Sequence, residues 1–401
     1  MKIGGCALVL LLAAGSPSQA GLPDAVWPPS SSGFAVVRPP LPSAFARPAV
    51  PVVVFKELSI QGVQFSRADR IPASLVAAID KTERTLLLSI YDLRLSGVVG
   101  ALLRAKARGV DVRLVYDESH AGPAALGGPS AEYQALVEGG VPVRILKGGG
   151  FFGIMHNKFA VFDGELLATG SFNWTAAADE KNFENAIFRS DAALAAGFTR
   201  YWNWMWELAR EPASANAEAS RAGADLGPPP ADPLKPVAFA GGAYPRYAFS
   251  PRGGIEDLLV DALGRAQRTI DVAIFSLYSQ RVADALIAAQ ARGVAVRVAA
   301  DASQSRRSQP VLALAEAGVV LRLSSGRGGK GFLHHKYALI DGALLMTGSY
   351  NFSQNAELYN FENVLFTAAP GEVAAYGGEF AAVWAQAHAP ASGELPDPKS
   401  L

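Results

Sequence analysis

The sequence predicts an α/β protein made of two duplicated sandwich domains, packed face to face about a pseudo-twofold axis. Two observations carry that prediction. The first is an internal repeat. Phe65-Ser66 aligns with Phe249-Ser250, Arg108-Gly109-Val110 with Arg292-Gly293-Val294, and Asp117 with Asp301, all at an offset of 184. After an insertion of six residues within 118–135 the offset becomes 178, and 17 of the 33 positions from His156 to Phe188 equal their partners. A unit this long is a domain, not a solenoid repeat. The second observation is alternation of strand and helix patterns inside each copy, the mark of an α/β layer structure.

In chain order, Lys2, the apolar run Cys6–Ala14 and Ser18-Gln19-Ala20 read as a signal peptide over 1–20, cleaved after Ala20. A periplasmic or secreted location is therefore expected. The run is too short to span a membrane, and the sole cysteine, Cys6, leaves with it, so disulfides and thiolate chemistry are excluded. Residues 21–51 hold eight prolines and read as an extended linker. The first domain follows at 52–210, a second Pro-rich linker at 211–236, the second domain at 237–389 and a tail at 390–401. Within the first domain Leu86–Ile90, Val110–Tyr116, Val141–Leu146 and Phe159–Phe162 read as strands. Gly97–Arg108 and Tyr133–Glu138 read as helices. Ile270–Phe275, Val282–Arg292 and Val294–Ala299 repeat the pattern in the second.

Phe198, Trp202 and Trp206 recur at four-residue spacing, and Tyr376, Phe380 and Trp384 occupy the same positions in the second copy. A stripe shared by both copies reads as the core face of a closing helix. Tyr201 and Trp204 have Glu379 and Ala382 as counterparts, which leaves those two aromatics as candidates for an exposed, lipid-facing contact.

Each copy contains His-x-Lys, four residues, Asp, six residues and Gly-Ser-x-Asn. These are His156, Lys158, Asp163, Gly170, Ser171 and Asn173, then His334, Lys336, Asp341, Gly348, Ser349 and Asn351. Eleven residues beyond each Asn stands a glutamate, Glu184 or Glu362, in Asn-Phe-Glu-Asn. On a strand, residues two apart share a face, so each motif histidine projects with its lysine while Asn157 and His335 point away. Imidazole, ammonium, hydroxyl and amide together suit a tetrahedral phosphate. Two histidines and two lysines are no zinc set, so no metal or cofactor is expected. His120, in the inserted stretch, and His388, near the tail, read as solvated; Asp117 and Asp301 read as turn or cap residues.

The doubled motif resembles that of the phospholipase D superfamily, H-x-K-x4-D-x6-G-S-x-N, at every fixed position. Gly170-Ser171-Phe172-Asn173-Trp174-Thr175 and Asn182-Phe183-Glu184-Asn185 particularly resemble the nuclease-like and cardiolipin-hydrolase-like branch. The resemblance implies a phosphodiesterase in which one histidine forms a phosphohistidine while the other serves as acid and then base. By resemblance to two-motif members, His156 is the nucleophile and His334 the acid. Lys158 and Lys336 neutralise transition-state charge, Ser171, Asn173, Ser349 and Asn351 bind phosphate oxygens, Glu184 and Glu362 orient the histidines, and Asp163 and Asp341 are structural. Since each copy supplies one histidine, a monomer holds both half-sites.

Thirty-six basic against 36 acidic residues give a net charge of zero, which argues against a general polyanion binder. Between Asp301 and Lys336, however, six basic residues (Arg306, Arg307, Arg322, Arg327, Lys330, Lys336) face two acidic ones. The corresponding stretch of the first copy has three against four. A phospholipid substrate with peripheral membrane contact is the favoured expectation, supported by export, neutrality, the aromatic pair Tyr201 and Trp204, and the apolar run Gly149–Met155, read either as an acyl-entrance loop or as an edge strand. An exported nuclease acting on nucleic acid is the alternative, and the one-sided basic flank is its support.

Overall fold

The computed structural model describes residues 50–121, 129–212 and 227–397. The expected signal peptide, most of both Pro-rich linkers and the last four residues lie outside the described residues.

Two seven-stranded mixed sheets dominate. From edge to edge the first runs Val63–Phe65, Asn185–Ser190, Leu166–Gly170, Lys158–Phe162, Thr85–Ile90, Asp111–Asp117 and Val143–Leu146. The second repeats that order with Tyr247–Ser250, Glu362–Thr367, Leu344–Gly348, Lys336–Ile340, Thr269–Ile274, Ala295–Asp301 and Val320–Ser324. In each, the last three strands pair in parallel and the rest antiparallel. Parallel neighbours need a crossover, and helices Ser96–Ala107 and Gln280–Ala291 supply it between corresponding strands. The expected elements all form, with ends shifted by a residue or two.

The strand that begins at each motif lysine lies at the centre of its sheet, and all five of its residues are buried. Period-two alternation then sorts side chains between two cores. Ala160 and Phe162 face the first half's own core, beneath helices Ile71–Lys81 and Ser96–Ala107. Phe159 and Val161 face a core to which both halves contribute, joined there by Phe249, Tyr337, Leu339 and Leu365. Burial on both faces is what a mixed sheet with helices on one side and a sister domain on the other requires.

The long helices Ala192–Leu208 and Pro370–Gln386 close the two halves. Phe198, Trp202, Tyr376 and Phe380 are buried in the shared core, while Trp206 and Trp384 lie at its edge beneath Arg144 and Arg322. Tyr201 corrects the sequence reading. It is fully buried, stacked at 3.9 Å on Phe249 of the other half, and Trp204 packs beside it at 5.7 Å. Neither forms an exposed lipid contact; being unlike its counterpart in the other copy did not place Tyr201 outside.

Reciprocal hydrogen bonds define the pseudo-twofold relation. The His156 amide donates to the Phe361 carbonyl and the His334 amide to the Phe183 carbonyl, both at 3.0 Å. Thr169 Oγ1 reaches Asn363 Oδ1 while Thr347 Oγ1 reaches Asn185 Oδ1. Each half thus lays the segment before its histidine against the segment before the other half's glutamate.

Candidate active site

The two motif segments meet on this axis. Each histidine stands just before a central strand, and the following lysine turns back so that its Nζ donates to the histidine's own carbonyl: Lys158 to His156 and Lys336 to His334, both at 2.6 Å. An aromatic ring covers each ammonium, Tyr91 at 4.9 Å from Lys158 and Phe275 at 5.0 Å from Lys336. The same rings lie edge-on to His156 and His334.

The glutamates are exchanged between halves. His156 Nδ1 lies 2.9 Å from both carboxylate oxygens of Glu362, and His334 Nδ1 lies 2.8 Å from Glu184 Oε1. An ionised carboxylate only accepts, so the proton of each neutral ring sits on Nδ1 and the Nε2 lone pair is left for chemistry. Both glutamates are wholly buried. Burial acts to raise their carboxyls, but the facing histidine, the nearby lysine and a serine hydroxyl outweigh it and hold both below the usual range. Burial pushes both imidazoles down to about 4, with the lysines adding to that effect and the facing glutamates opposing it. It also lowers Lys158 to about 8 and takes Lys336 well below its ordinary value. Each lysine acts on both histidines, so the two half-sites share one electrostatic field.

Ser171 and Ser349 correct an expectation. Their hydroxyls donate to Glu184 and Glu362 at 2.6 Å, and both are fully buried. They hold the carboxylates that hold the histidines and offer no proton to a phosphate. Asn182 and Asn360 secure the second oxygen of each carboxylate, at 3.1 and 3.0 Å. The preceding glycine is required by space. A Cβ on Gly170 or Gly348 would stand 2.3 or 2.1 Å from the Asn185 or Asn363 carbonyl, which accepts from the serine amide. Asn173 and Asn351 differ from the serines. In both halves Oδ1 is buried without a hydrogen-bond partner, an unmet polar group at the same place twice.

Asp163 and Asp341 stand apart, roughly 16 Å along a strand from the lysines at ordinary strand rise. Each carboxylate accepts from three consecutive backbone amides, Glu83 to Thr85 or Gln267 to Thr269, and so pins the start of the neighbouring strand. Asp117 and Asp301 cap their strand ends, and each also accepts from the amide directly before a motif histidine, Met155 at 2.7 Å and Leu333 at 2.9 Å. That second contact positions the histidine and has no local sequence signal, because its partners lie 38 and 32 residues apart.

Behind the site the halves differ. Asn157, between His156 and Lys158, donates to Tyr201, whose hydroxyl donates to the Ser250 carbonyl. Its counterpart His335 contacts Asn185 and Glu379, and Arg67 closes that pair with a 3.1 Å bridge to Glu379. Asn–Tyr in one half therefore replaces His–Glu in the other, a paired exchange visible in the repeat alignment. His120, expected in solvent, is mostly covered, its ring edge-on to Tyr91 at 4.6 Å and its Nε2 without a partner. Its counterpart is Gln304. His388, by contrast, is half exposed and meets Glu394.

A family model described as "Cardiolipin synthase, PLD-like domain" matches residues 75–206 and again 259–384. The chain belongs to the phospholipase D superfamily. Among superfamily relatives it is 31% identical over 126 residues to a mitochondrial cardiolipin hydrolase of Chlamydomonas reinhardtii, covering 31% of this chain and 55% of that one. It is 36% identical over 124 residues to a phospholipase D of Rickettsia conorii, covering 31% and 58%. The chain thus spans less than two thirds of the length of these relatives. The crystal structure of phosphatidylserine synthase from Haemophilus influenzae superimposes with a TM-score of 0.63 at 12% identity, covering 88% of this chain and 92% of that one. That likeness supports the two-domain superfamily fold. Among the described residues of this superfamily member, no group of three or more His, Cys, Asp or Glu side chains is placed to hold a metal ion.

Proposed function

We propose that the protein hydrolyses a phospholipid headgroup phosphodiester through a phosphohistidine intermediate, without a metal or other cofactor. The single observation that carries this reading is the pair of exchanged His–Glu contacts, each with Nε2 unengaged, in one field with two lysines. His156 Nε2 attacks phosphorus; the P–N bond forms as the P–O bond to the leaving group breaks. His334 donates its Nε2 proton to the departing oxygen. Water then attacks phosphorus, giving its proton to His334, and the P–N bond to His156 breaks. Burial holds both imidazoles low, and a phosphodiester anion beside them brings the negative charge that lets one keep its second proton. Lys158 and Lys336 counter the charge that develops on phosphorus, and the side-chain NH2 groups of Asn173 and Asn351 donate to its oxygens.

The relatives named for cardiolipin hydrolysis and phospholipase D support the lipid reading. The nuclease alternative keeps a smaller basic flank than the sequence offers. Arg322 is tied to the Trp384 carbonyl, Arg327 to the carbonyls of Ser66 and Asp179, and Lys336 belongs to the site. Arg306, Arg307 and Lys330 remain exposed.

The deciding experiment offers the purified chain a labelled phospholipid panel and plasmid DNA, both with EDTA. Phospholipid turnover that persists in EDTA is expected. Cleavage of DNA alone overturns the substrate, and a strict metal requirement overturns the mechanism. The expected export is tested separately by fractionating cells that express the full chain.

A further inference from the structure

The loops that enter the two motif histidines are built on one plan. Gly149 N donates to the Tyr359 carbonyl at 2.7 Å, as Arg327 N does to Lys181 at 2.8 Å. Ile154 N donates to Asn360 Oδ1 and Phe332 N to Asn182 Oδ1, both at 3.1 Å. The tips are opposite in character. In the first half Phe151 is 83% exposed and Phe152 76%, beside Leu358 and Tyr359 at 38% and 39%. The symmetry-related positions are Gly329, Lys330, Glu180 and Lys181, all exposed. One rim of the site is a crest of four apolar side chains; the other carries charge, with a cation from each half.

This crest is held in place. Gly153 N donates to the Gly149 carbonyl, and Asn355 Nδ2 reaches the Phe152 carbonyl. A Cβ on Gly148 would stand 2.3 Å from the Gly153–Ile154 peptide, so the loop's neck closes only on glycine. The fold therefore fixes two phenylalanines in water, where solvation disfavours them, on the loop that leads into His156.

Resting on the phospholipid reading, we propose that Phe151, Phe152, Leu358 and Tyr359 insert into the surface of an anionic lipid bilayer, with Lys181 and Lys330 against its headgroups. An apolar loop leading into one motif histidine and a cationic loop leading into the other match the two parts of an amphiphile. Reach agrees as well. Phe152 precedes His156 by four residues, at most about 14 Å of chain, and interfacial segments settle roughly 5–10 Å into the acyl boundary. Rings at that depth leave the histidines at the level of the phosphates. No helix among the described residues is long and apolar enough to cross a membrane.

The test uses the full chain and vesicles of phosphatidylcholine with about one third phosphatidylglycerol, the anionic component that attracts cations. Partitioning is read by sedimentation, and turnover is read on the vesicles and on bis(p-nitrophenyl) phosphate, a soluble phosphodiester. F151S/F152S is expected to lower partitioning about tenfold or more and vesicle turnover in parallel, with the soluble substrate cleaved as by wild type. K181E/K330E is expected to lose the preference for anionic vesicles over pure phosphatidylcholine. A tryptophan placed by F152W should be quenched by brominated acyl chains beyond the quenching of the native tryptophans. Equal partitioning of wild type and F151S/F152S overturns the inference, as does wild type that stays in the supernatant. So does a single-stranded oligonucleotide whose binding alone is lost in F151S/F152S. If wild type partitions through these rings yet cleaves only DNA, the crest stands and the substrate reading falls.

Discussion

The two halves of the site share their chemistry and differ in part of what supports and borders it. His, Lys, Ser, Asn and Glu recur with matching contacts, down to 2.6 Å for both serine–glutamate and both lysine–carbonyl bonds. The supports diverge: Asn157–Tyr201 against His335–Glu379, Tyr91 beside His120 against Phe275 beside Phe332, an apolar rim against a charged one. The motif side chains that hold one another across the halves recur in both. A side chain behind them is exchanged together with its own partner, as Asn157 with Tyr201 for His335 with Glu379. The comparison teaches that equivalence of the two histidines in sequence does not make their surroundings equivalent.

The largest expected effect treats them as equals. H156A and H334A should each reduce turnover by about a thousandfold or more with unchanged circular dichroism. The halves should then separate in an acid-quench experiment with labelled substrate. A phosphoryl adduct trapped at His156 fits the assignment; one at His334 reverses the roles and breaks the comparison at its centre. Next come the exchanged carboxylates. E362Q should lower kcat by about a hundredfold through His156, and S349A, which loosens Glu362, by about tenfold. Equal loss of KM and kcat effects in S349A and N351A would contradict the separation drawn between a serine that holds the carboxylate and an amide that faces substrate.

Smaller effects probe the unlike supports. E379A leaves His335 and Arg67 without their carboxylate and should cost about 3 kcal/mol by chemical denaturation. Y201F removes one hydroxyl from its buried partners and should cost about 1 kcal/mol. Similar values for the two would show that the ionic pair and the neutral pair are interchangeable. The mildest test is pH. Both motif histidines sit at about 4 in the folded chain against 6.5 when unfolded. The unfolded chain therefore takes up protons first, so this part of the stability is complete above pH 6.5 and declines as pH falls toward 4. The decline should be shallower in H156N, measured as denaturant midpoint against pH.

Much of this was legible in the sequence because it is periodic or local. Duplication, strand alternation and motif spacing all act over a few residues, and Phe198, Trp202 and Tyr376 lie where a shared stripe puts them. What stayed hidden depends on contacts between halves. Nothing near Glu362 in the chain says that its histidine is His156, 206 residues away. Tyr201 looked exposed because only its own helix could be inspected, while Phe249, which stacks on it, comes from the other copy. Ser171 looked like a phosphate ligand because a hydroxyl's partner is invisible until Glu184 folds back onto it. The run Gly149–Met155 carried an ambiguity that backbone geometry resolves: Met155 turns into the shared core, and Phe151 and Phe152 turn out.

The exchanged glutamates also have a consequence in time. A chain with only its first half folded carries His156 without Glu362, and a histidine lacking its carboxylate lacks the tautomer and aim that the chemistry needs. The second half folds around His334 in the same want, since Glu184 belongs to the first. Neither half is armed by finishing its own fold. On the proposed mechanism reactivity waits for the two halves to meet, and the interface between them would act as an interlock that keeps an incomplete molecule silent.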